Sequence, residues 1–552
     1  MPRASKTTPA QPRAAAPHGK PRKRPAFRAV VSDPIAEAGL EILRRDPDIE
    51  VVVKTEHTPD DLKRLVAQAD ALVVRSQTKV TADVIEAAPR LKVIARAGVG
   101  VDNVDVAAAT RRGIIVLNSP EGNTIAATEH TIALLLALSR RIPEAYDSMR
   151  KGEWKRSKFV GVELYNKVLG VIGLGKIGAE VARRARALGM RLVGYDPYIP
   201  AEMAERLGVE LVALDELLAR SDYVTVHTPL TRDTRGLIGK AELEKIKRGA
   251  RLVNTARGGI IEEKALADAV KSGVVAGAAV DVFEEEPPKG SPLLEVEGII
   301  VTPHLGASTE EAQVKVAVDV AEQVVDVLHG RPARTAVNVT PVRAEALAAL
   351  QPHITLAERI GRLQAQLAEG HLRHVEITYS GEIADLDVSV VTRSFLVGIL
   401  QPALEEPVNL VNAPLLAETR GLKIKESKST TAEDYASLIT SRVVSGLGEH
   451  VVAGTLFGRN DLRIVRVDEY RVDFEPSGYM LIADHHDRPG VIGKVGTMLG
   501  NEDINIGGMH VGRKTVRGKA LMILAVDSPI PPAVMRKICR LPHMYRCTLV
   551  EL

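Results

Sequence analysis

The nine residues from Gly170 to Gly178 constrain the fold of this chain more than any other segment. They read Gly-Val-Ile-Gly-Leu-Gly-Lys-Ile-Gly, so that an apolar strand runs directly into three glycines spaced G-x-G-x-x-G. Helical periodicity follows the third glycine, and a second apolar strand, 192–195, ends in Asp196. A strand, a glycine loop, a helix, a strand and an acid in this order predict a dinucleotide-binding βαβ unit.

Each position of this unit has a physical reason. Gly173 allows the tight turn, Gly175 lets the backbone approach a pyrophosphate, and Gly178 lets the helix pack closely on the strand. Asp196 would accept hydrogen bonds from both ribose hydroxyls and would repel the extra phosphate of NADP, so the sequence predicts NAD as the cofactor. The alternative, an ordinary glycine-rich turn, does not account for the strand, helix and acid around the motif.

The composition sets the outer limits. A chain of 552 residues predicts three or four domains. A net charge of +3 gives no argument for nucleic acid or a membrane surface as a partner, and no apolar run approaches the ~20 residues of a membrane span. Two cysteines, Cys539 and Cys547, form no metal-ligand pattern. They favour a reducing compartment, and we therefore expect a cytoplasmic protein without a bound metal.

The first 25 residues differ from the rest of the chain. They carry seven basic residues and no acid, are rich in proline and alanine, and lack the apolar core of a secretory signal. This composition predicts a disordered basic tail over residues 1–25. An organelle-import address is the alternative, although the prolines argue against the amphipathic helix that such an address uses.

From Phe27 onward, strands alternate with helices, which predicts parallel βαβ units with ligands bound beyond the carboxyl ends of the strands. Two loops fall at such ends, Arg75-Ser76 and Gly98-Val99-Gly100. Arginine can hold a phosphate or carboxylate, and glycine loops expose N–H groups to an anion. Each loop alone would be an ordinary turn, but two in one sheet favour an anion site.

Arginine, glutamate and histidine follow later strands of the chain. Arg257 follows the strand 251–255, Glu286 follows 276–282, and His304 follows 299–303. Singly, each has a plain structural alternative as a surface ion pair, a helix-capping acid or a loop histidine. Together at one sheet edge they form a set suited to oxidising a hydroxy acid beside a nicotinamide.

In that chemistry the roles follow from the side chains. Arg257 would clamp the carboxylate through a bidentate pair. His304 would take the hydroxyl proton as general base, because an imidazole titrates near neutral pH. Glu286 would bind the other ring nitrogen, fix the tautomer and stabilise the imidazolium.

From about Phe27 to its C-terminus the chain resembles the D-isomer-specific 2-hydroxyacid dehydrogenases, and within them the branch that oxidises 3-phospho-D-glycerate. The resemblance rests on the segments 75–81, 96–105, 171–178, 254–259 and 303–309. It implies an NAD-dependent enzyme that makes 3-phosphohydroxypyruvate in the first step of L-serine synthesis. It also implies a homotetramer, with no nucleic acid or membrane partner.

The resemblance also assigns residues. The catalytic residues it implies are Arg257, Glu286 and His304. The cofactor contacts are Gly173, Gly175, Lys176, Ile177, Gly178, Asp196, Thr228, Thr255, Arg257, Asp281, His304, Gly306 and Ala307. The substrate contacts are Arg75, Ser76, Gly98, Val99, Gly100, Asn123 and, from a neighbouring subunit, Arg156.

The domain arrangement that the resemblance implies is an insertion. A doubly wound, Rossmann-type NAD-binding domain (122–304) interrupts a flavodoxin-like substrate domain (26–121 and 305–331), and the two chain crossings act as hinges. A linker, 331–340, leads to an α+β intervening domain, 340–470. Its lysines near 423–428 are most simply a solvated face, and an anion site there stays open.

The last segment, 478–552, reads as strand, helix, two strands, helix and strand, the ferredoxin-like pattern. With Asp487-Arg488-Pro489-Gly490 and Asn505 it resembles an ACT domain, a sensor of small molecules. Asp487 and Asn505 are the predicted effector contacts, with helix capping and turn formation as the alternatives. The resemblance implies feedback inhibition by L-serine, but His485 and His486 depart from the serine-binding pattern and leave the effector open.

Two other functions remain open from sequence alone. One is a related reductase acting on glyoxylate or hydroxypyruvate, which the appended sensor domains disfavour. The other is an NAD-sensing scaffold or corepressor built on the same fold. The intact set of Arg257, Glu286 and His304 favours an enzyme over a scaffold.

Overall fold

We describe the fold from a computed structural model, which covers residues 25–339, 344–431 and 434–552. The predicted basic tail, apart from Pro25, and the end of the predicted linker at Thr340 lie outside these residues. Within them, no helix combines the length and the apolar character that crossing a membrane requires.

The first domain is a five-stranded parallel sheet flanked by helices. The strands take the order β2-β1-β3-β4-β5, which confirms the predicted flavodoxin-like topology. Its elements are β1 (Phe27–Val31), α1 (Glu37–Arg45), β2 (Ile49–Val53), α2 (Pro59–Val66), β3 (Ala71–Val74), α3 (Ala82–Glu86), β4 (Val93–Arg96), α4 (Val106–Arg111) and β5 (Ile115–Leu117).

The second domain is a seven-stranded parallel sheet with the order β12-β11-β10-β9-β6-β7-β8. The strand order reverses beside β6, which is the point at which such sheets bind nucleotides. Its helices are α5 (Thr124–Arg140), α6 (Ile142–Arg150), α7 (Lys176–Ala187), α8 (Ala201–Leu207), α9 (Leu214–Arg220), α10 (Lys240–Lys245) and α11 (Glu263–Lys271). Its strands are β6 (Val168–Ile172), β7 (Arg191–Tyr195), β8 (Glu210–Leu211), β9 (Tyr223–Val226), β10 (Ala250–Asn254), β11 (Val275–Val280) and β12 (Ile299–Val301).

The chain then returns to the first sheet. Helix α12 (Glu310–Leu328) buries Val316, Val320 and Val324 against the face of that sheet. The segment after α12, predicted as a linker, pairs with the edge strand β5, where Val337 N donates to Val116 O at 2.8 Å. This pairing satisfies backbone groups that an open sheet edge would leave without hydrogen bonds, so the segment is part of the first domain's sheet edge and not a flexible linker.

The third domain has a six-stranded mixed sheet in the order β14-β13-β15-β16-β17-β18. A long helix precedes it, α13 (Ala344–Leu367), which sequence reasoning missed because Pro352 interrupts the expected helical pattern. The other elements are β13 (Leu372–Gly381), α14 (Ser389–Leu400), α15 (Ala413–Thr419), β14 (Lys423–Ser429), β15 (Ser437–Ser445), β16 (Glu449–Phe457), β17 (Asp461–Val467) and β18 (Tyr470–Phe474). Short 3₁₀ turns lie at Arg156–Phe159, Pro292–Glu295, Glu382–Asp385 and Gln401–Ala403.

The C-terminal domain confirms the predicted ferredoxin-like pattern, with four antiparallel strands in the order β20-β21-β19-β22. Alternate residues of its central strand serve two cores. Met480 and Ile482 join the core of the third domain, whereas Leu481 and Ala483 lie under the domain's own helices. Its elements are β19 (Tyr479–His486), α16 (Val491–Gly500), β20 (Ile506–Arg513), β21 (Lys519–Val526), α17 (Pro532–Cys539) and β22 (Met544–Glu551).

Candidate active site

A cavity of about 470 Å³, here called the cleft, lies between the first two domains. One wall comes from the residues after β4 and β5, and the other from the carboxyl ends of β6, β9, β10 and β12. Such a cleft is where open parallel sheets bind their ligands. The predicted site residues that line it are Val99, Gly100, Asn123, Lys176, Ile177, Thr228, Thr255, Arg257, His304, Gly306 and Ala307.

The glycine loop has the geometry that its sequence predicts. Gly173 has a φ of +88°, and a Cβ on it would lie 2.8 Å from His227 O. A Cβ on Gly178 would lie 1.9 Å from Gly173 O, so only glycine allows this packing of helix on loop. Gly175, in contrast, has no atom within 4 Å of such a Cβ, which leaves open the approach to the first turn of α7.

Asp196 is fixed beside this loop at the end of β7. Its carboxylate accepts hydrogen bonds from the backbone N–H groups of Leu174 at 2.8 Å and Tyr198 at 2.9 Å. Each oxygen keeps a free acceptor position, because a carboxylate oxygen can accept two hydrogen bonds. The acid is thus held where the ribose of a dinucleotide would lie.

Besides Nε of Arg96, which is described below, two polar atoms of the cleft lining are buried without a partner among the described residues. These atoms are Thr228 Oγ1 and Asn123 Oδ1, and both of their residues line the cleft. Buried polar groups in folded proteins are normally hydrogen-bonded, so a ligand in the cleft is their natural partner. The residues present therefore fit a dinucleotide that runs from the glycine loop toward the end of β12.

His304 and Glu286 form a hydrogen-bonded pair. Nδ1 of His304 lies 2.8 Å from one carboxylate oxygen of Glu286 and 3.0 Å from the other. This contact leaves Nε2 of His304 to accept a proton. His304 follows the end of β12 and has a φ of +55°, so its backbone is left-handed and no longer extended like a strand.

Glu286 stays ionised in this setting. Its partial burial opposes ionisation, but the hydrogen bond and charge of His304, the N–H of Phe283 at 3.2 Å and the charge of Arg257 outweigh it. The net effect lowers the pKa of Glu286 below its ordinary value. A carboxylate that remains charged can orient the imidazole and stabilise its protonated form.

Arg257 belongs to the second domain and reaches across the cleft to Asp102 of the first domain. Its Nε donates to Asp102 Oδ2 at 2.8 Å, and its Nη1 donates to Ala256 O at 2.6 Å. Asn254 braces the loop by donating to Arg257 O at 2.9 Å. With Nε engaged, the guanidinium is held in one orientation with Nη2 free of a described partner, so it can meet a carboxylate.

Sequence reasoning missed the side chain of Arg96, which also lines the cleft. Burial, the neighbouring charge of Arg257 and, more weakly, that of Arg75 lower the pKa of Arg96 to about 10, although Asp102 opposes them. Its Nε is buried without a described partner. A buried arginine beside other arginines attracts an anion. The sequence could have indicated Arg96 as a ligand contact, because it ends the buried strand β4 directly before the Gly98-Val99-Gly100 loop.

Two further residues shape the cleft without having been predicted to do so. His227 lines the cofactor end, and burial lowers its pKa to about 3, so its ring stays neutral. His130 lies 3.1 Å from a carboxylate oxygen of Asp281. That carboxylate also accepts from the N–H groups of Leu305 at 2.8 Å and Gly306 at 2.9 Å, and so holds the loop after His304.

With the geometry in hand, comparisons with known proteins identify the family. Residues 132–306 match the family model "D-isomer specific 2-hydroxyacid dehydrogenase, NAD binding domain". Residues 349–468 match "D-3-phosphoglycerate dehydrogenase intervening domain", and residues 479–543 match "ACT domain". A D-3-phosphoglycerate dehydrogenase of Archaeoglobus fulgidus is 47% identical over 95% of this chain and 100% of its own length. The chain belongs to the D-3-phosphoglycerate dehydrogenase family.

Other relatives agree with this assignment. A D-3-phosphoglycerate dehydrogenase of Synechocystis is 45% identical over 95% of both chains. Among solved structures, a D-lactate dehydrogenase of Aquifex aeolicus, complexed with NAD and lactic acid, is 28% identical with a TM-score of 0.51. It covers 55% of this chain and 96% of its own, so the likeness is confined to part of the chain.

Several site residues predicted for this family member lie away from the lining of the cleft. Arg75 and Ser76 follow β3, and Arg75 N donates to Asp33 Oδ2 at 2.5 Å. Gly98 presents its backbone next to the guanidinium of Arg96, and Arg156 lies on the exposed 3₁₀ turn of the second domain. Asp281 is fully buried with both oxygens engaged by protein groups. The predicted ligand contacts of these residues stay predictions.

The predicted effector residues of the ACT domain are engaged within the chain. Asp487 accepts hydrogen bonds from Arg513 Nη1 at 3.0 Å and from Arg517 N at 3.1 Å. Asn505 donates to Asp527 Oδ2 at 2.8 Å. Binding an effector there would require these residues to exchange or share partners, and their role stays a prediction for this family member.

Proposed function

We propose that this chain oxidises 3-phospho-D-glycerate to 3-phosphohydroxypyruvate with NAD, the first step of L-serine synthesis. The hydrogen-bonded pair of His304 and Glu286, in one cleft with Arg257, carries the proposal. The glycine loop and Asp196 at the other end of the cleft account for the cofactor. Membership of the D-3-phosphoglycerate dehydrogenase family supports the substrate.

Each residue of the site would have a separate role in the reaction. Arg257 holds the substrate carboxylate and so fixes which hydrogen faces the cofactor. His304 Nε2 accepts the hydroxyl proton as the carbonyl forms, and Glu286 stabilises the resulting imidazolium. NAD, when bound, supplies the hydride acceptor. Closure of the two domains around the cleft would exclude water during transfer.

The substrate phosphate needs cationic partners at the outer end of the cleft. Two arginines of the chain are available. Arg96 lines the cleft, and the charge of Arg75 contributes to lowering the pKa of Arg96. We propose that Arg156 of a neighbouring subunit completes this set in a homotetramer. Exposed apolar residues around Arg156 support an interface there, with Trp154 73% and Val160 78% exposed.

Regulation is the second part of the proposal. The ACT domain would bind an amino acid, with L-serine the natural candidate because it is the end product of the pathway. Asp487 and Asn505 are the contacts that sequence predicts. Effector binding would act on closure of the cleft and thereby on turnover.

The test is a substrate panel with the purified full chain. We expect NADH formation from NAD and 3-phospho-D-glycerate, and NADH consumption with 3-phosphohydroxypyruvate. D-glycerate, D-lactate and glyoxylate should be turned over less efficiently by about 10² or more in kcat/KM, because they lack the phosphate that the arginines would bind. Preferred turnover of glyoxylate or hydroxypyruvate would instead make the protein a reductase of small hydroxyacids.

A further inference from the structure

The loop after β3, residues 75–78, carries the predicted substrate contacts Arg75 and Ser76. Hydrogen bonds from two other strand ends of the first domain hold this loop. One set comes from Asp33, in the turn after β1, and the other comes from Asn103, in the loop after β4. Neither side chain has a role in the proposed reaction. The position of a predicted substrate loop therefore depends on two side chains outside it.

Asp33 holds the loop through donor groups of its first and last residues. Asp33 is 1% exposed. One carboxylate oxygen accepts from Arg75 N at 2.5 Å and from Thr78 N at 3.1 Å, and the other accepts from Thr78 Oγ1 at 2.6 Å. A buried carboxylate costs free energy unless donors surround it, so losing these three donors would be costly. The loop is thereby fixed to the end of β1.

Asn103 holds the same two residues through their carbonyl groups. Its Nδ2 donates to Arg75 O at 2.7 Å and to Thr78 O at 2.6 Å, which uses both hydrogens of the amide. The first and last residues of the loop thus have both their N–H and their C=O groups engaged. Ser76 and Gln77 between them are exposed. The two side chains therefore fix the base of the loop and leave its tip open to a ligand.

The loop after β4 also holds the arginine proposed to bind the substrate carboxylate. Asn103 follows Asp102 in the chain, and Asp102 Oδ2 accepts from Arg257 Nε at 2.8 Å. Consecutive Cα atoms lie about 3.8 Å apart. Two adjacent residues thus connect the loop 75–78 with the guanidinium of Arg257, and this suits a substrate that carries one anionic group at each end.

Arg75 lies near the cleft although it does not line it. Its charge contributes to lowering the pKa of Arg96, which does line the cleft. Its Nη1 donates to Pro34 O at 3.4 Å, which is long for a hydrogen bond. Arginine and phosphate form charged, bidentate pairs that are stronger than such a contact. A phosphate in the cleft would therefore draw the guanidinium away from Pro34.

We infer that Asp33 and Asn103 are positioning residues for the substrate phosphate. They hold the base of the loop 75–78 so that Arg75 and Ser76 meet the phosphate while Arg257 holds the carboxylate. Because the loop is fixed before binding, little conformational freedom is lost when the phosphate binds. The inference rests on the proposed function and deepens it by naming two residues that set the preference for a phosphorylated substrate.

The test compares the reduction of 3-phosphohydroxypyruvate and of hydroxypyruvate by NADH, because these substrates differ only in the phosphate. Asp33→Asn leaves one acceptor oxygen for three donors, and Asn103→Ala removes both amide donors. In each variant, kcat/KM should fall about tenfold further for 3-phosphohydroxypyruvate than for hydroxypyruvate, chiefly through KM, because a displaced loop loses its phosphate contacts. Initial rates of the full chain measure both, and Asn103→Ala covers the case in which Asp33→Asn does not fold.

Asp70→Asn is the matched control, since it makes the same change at a second buried carboxylate of the first domain. Asp70 is 3% exposed, and its carboxylate accepts from Arg28 N at 2.9 Å. It precedes β3 and so lies at the opposite end of that strand from the loop 75–78. The ratio of the two kcat/KM values should stay within about twofold of the wild type, because distant sites act independently.

Two results would overturn the inference alone. The first is an equal loss of kcat/KM for both substrates in Asp33→Asn and Asn103→Ala, which would make these hydrogen bonds merely structural. The second is an equally large fall of the ratio in Asp70→Asn, which would make the effect a general consequence of a weakened domain. A wild type that reduces both substrates equally well would overturn the proposed function, and the inference with it.

Discussion

The cleft and the predicted effector residues of the ACT domain are built in different ways. In the cleft, each reactive side chain has an orienting partner in place, as His304 has Glu286 and Arg257 has Asp102. In the ACT domain, Asp487 and Asn505 are themselves engaged within the chain, by Arg513 and Asp527. Groups held in place beside an open cavity suit chemistry on a bound substrate, whereas groups that must exchange partners suit an effector whose binding changes the structure around it.

The largest expected effect tests the orienting pair of the cleft. His304→Ala should lower kcat by about 10³-fold, because the hydroxyl proton loses its acceptor. Glu286→Gln should lower it by about 10²-fold, because the ring loses its orienting charge. Steady-state NADH formation measures both. NAD binding, followed by fluorescence titration, should change little, and parallel loss of cofactor binding would mean that the pair is structural.

The same pair predicts a pH dependence. Because the pKa of Glu286 lies below its ordinary value, this carboxylate stays charged through neutral pH and does not set the acid limb of the activity. Glu286→Gln removes the charge that favours the imidazolium, so the acid limb of kcat/KM for oxidation should move to lower pH. A pH–rate profile of both proteins checks the direction, and an unmoved limb would contradict the assignment of Glu286.

The next largest effect tests whether the guanidinium of Arg257 is held in the orientation that binds the substrate carboxylate. Arg257→Lys should lower kcat/KM by about 10²-fold, since an ammonium cannot reproduce bidentate binding of a carboxylate. Asp102→Asn should cost less, about tenfold, because it only loosens the orientation of Arg257. Initial rates over a range of substrate concentrations measure both. A larger loss from Asp102→Asn than from Arg257→Lys would reverse the roles proposed here.

A smaller effect concerns the cofactor end of the cleft. Asp196→Ser should raise the KM for NAD by about tenfold and narrow the preference for NAD over NADP, because the ribose loses a charged acceptor. The measurement is the kcat/KM ratio for the two cofactors. An unchanged ratio would mean that another residue selects the cofactor.

The last prediction concerns stability, and it tests whether water is excluded around His227 at the cofactor end of the cleft. His227 is neutral in the folded protein because burial lowers its pKa to about 3, whereas it would titrate near 6.5 when unfolded. The unfolded state therefore binds more protons between these values, so stability is lost as pH falls below 6.5. His227→Asn should lose less stability than the wild type between pH 7 and pH 5, by about 2 kcal/mol. Urea unfolding at both pH values measures it, and equal losses would contradict the burial argument.

The same contrast explains what the sequence could reveal. The glycine loop and Asp196 were predictable because each glycine answers a local backbone requirement that a short motif encodes. His304 and Glu286 were predictable as residues at strand ends, but the left-handed backbone of His304 was not. Arg96 was overlooked because its segment was considered only for its glycine backbone.

Features that depend on distant segments stayed out of reach. Helix α13 was missed because Pro352 interrupts it, and only packing in the folded domain compensates for the lost hydrogen bond. The pairing of Val337 with Val116 joins segments more than two hundred residues apart. The packing of the C-terminal domain on the third domain, through Met480 and Ile482, combines residues of two domains, and no spacing in the sequence predicts it.

The most direct test of separate catalytic and regulatory sites compares the wild type with Asp487→Asn. The measurement is the rate of NADH formation from NAD and 3-phospho-D-glycerate as L-serine is added. We predict that the serine concentration that halves the rate is about tenfold higher for Asp487→Asn than for the wild type. Equal inhibition of both proteins at every serine concentration would contradict the account, because the effector would then act without the predicted contact.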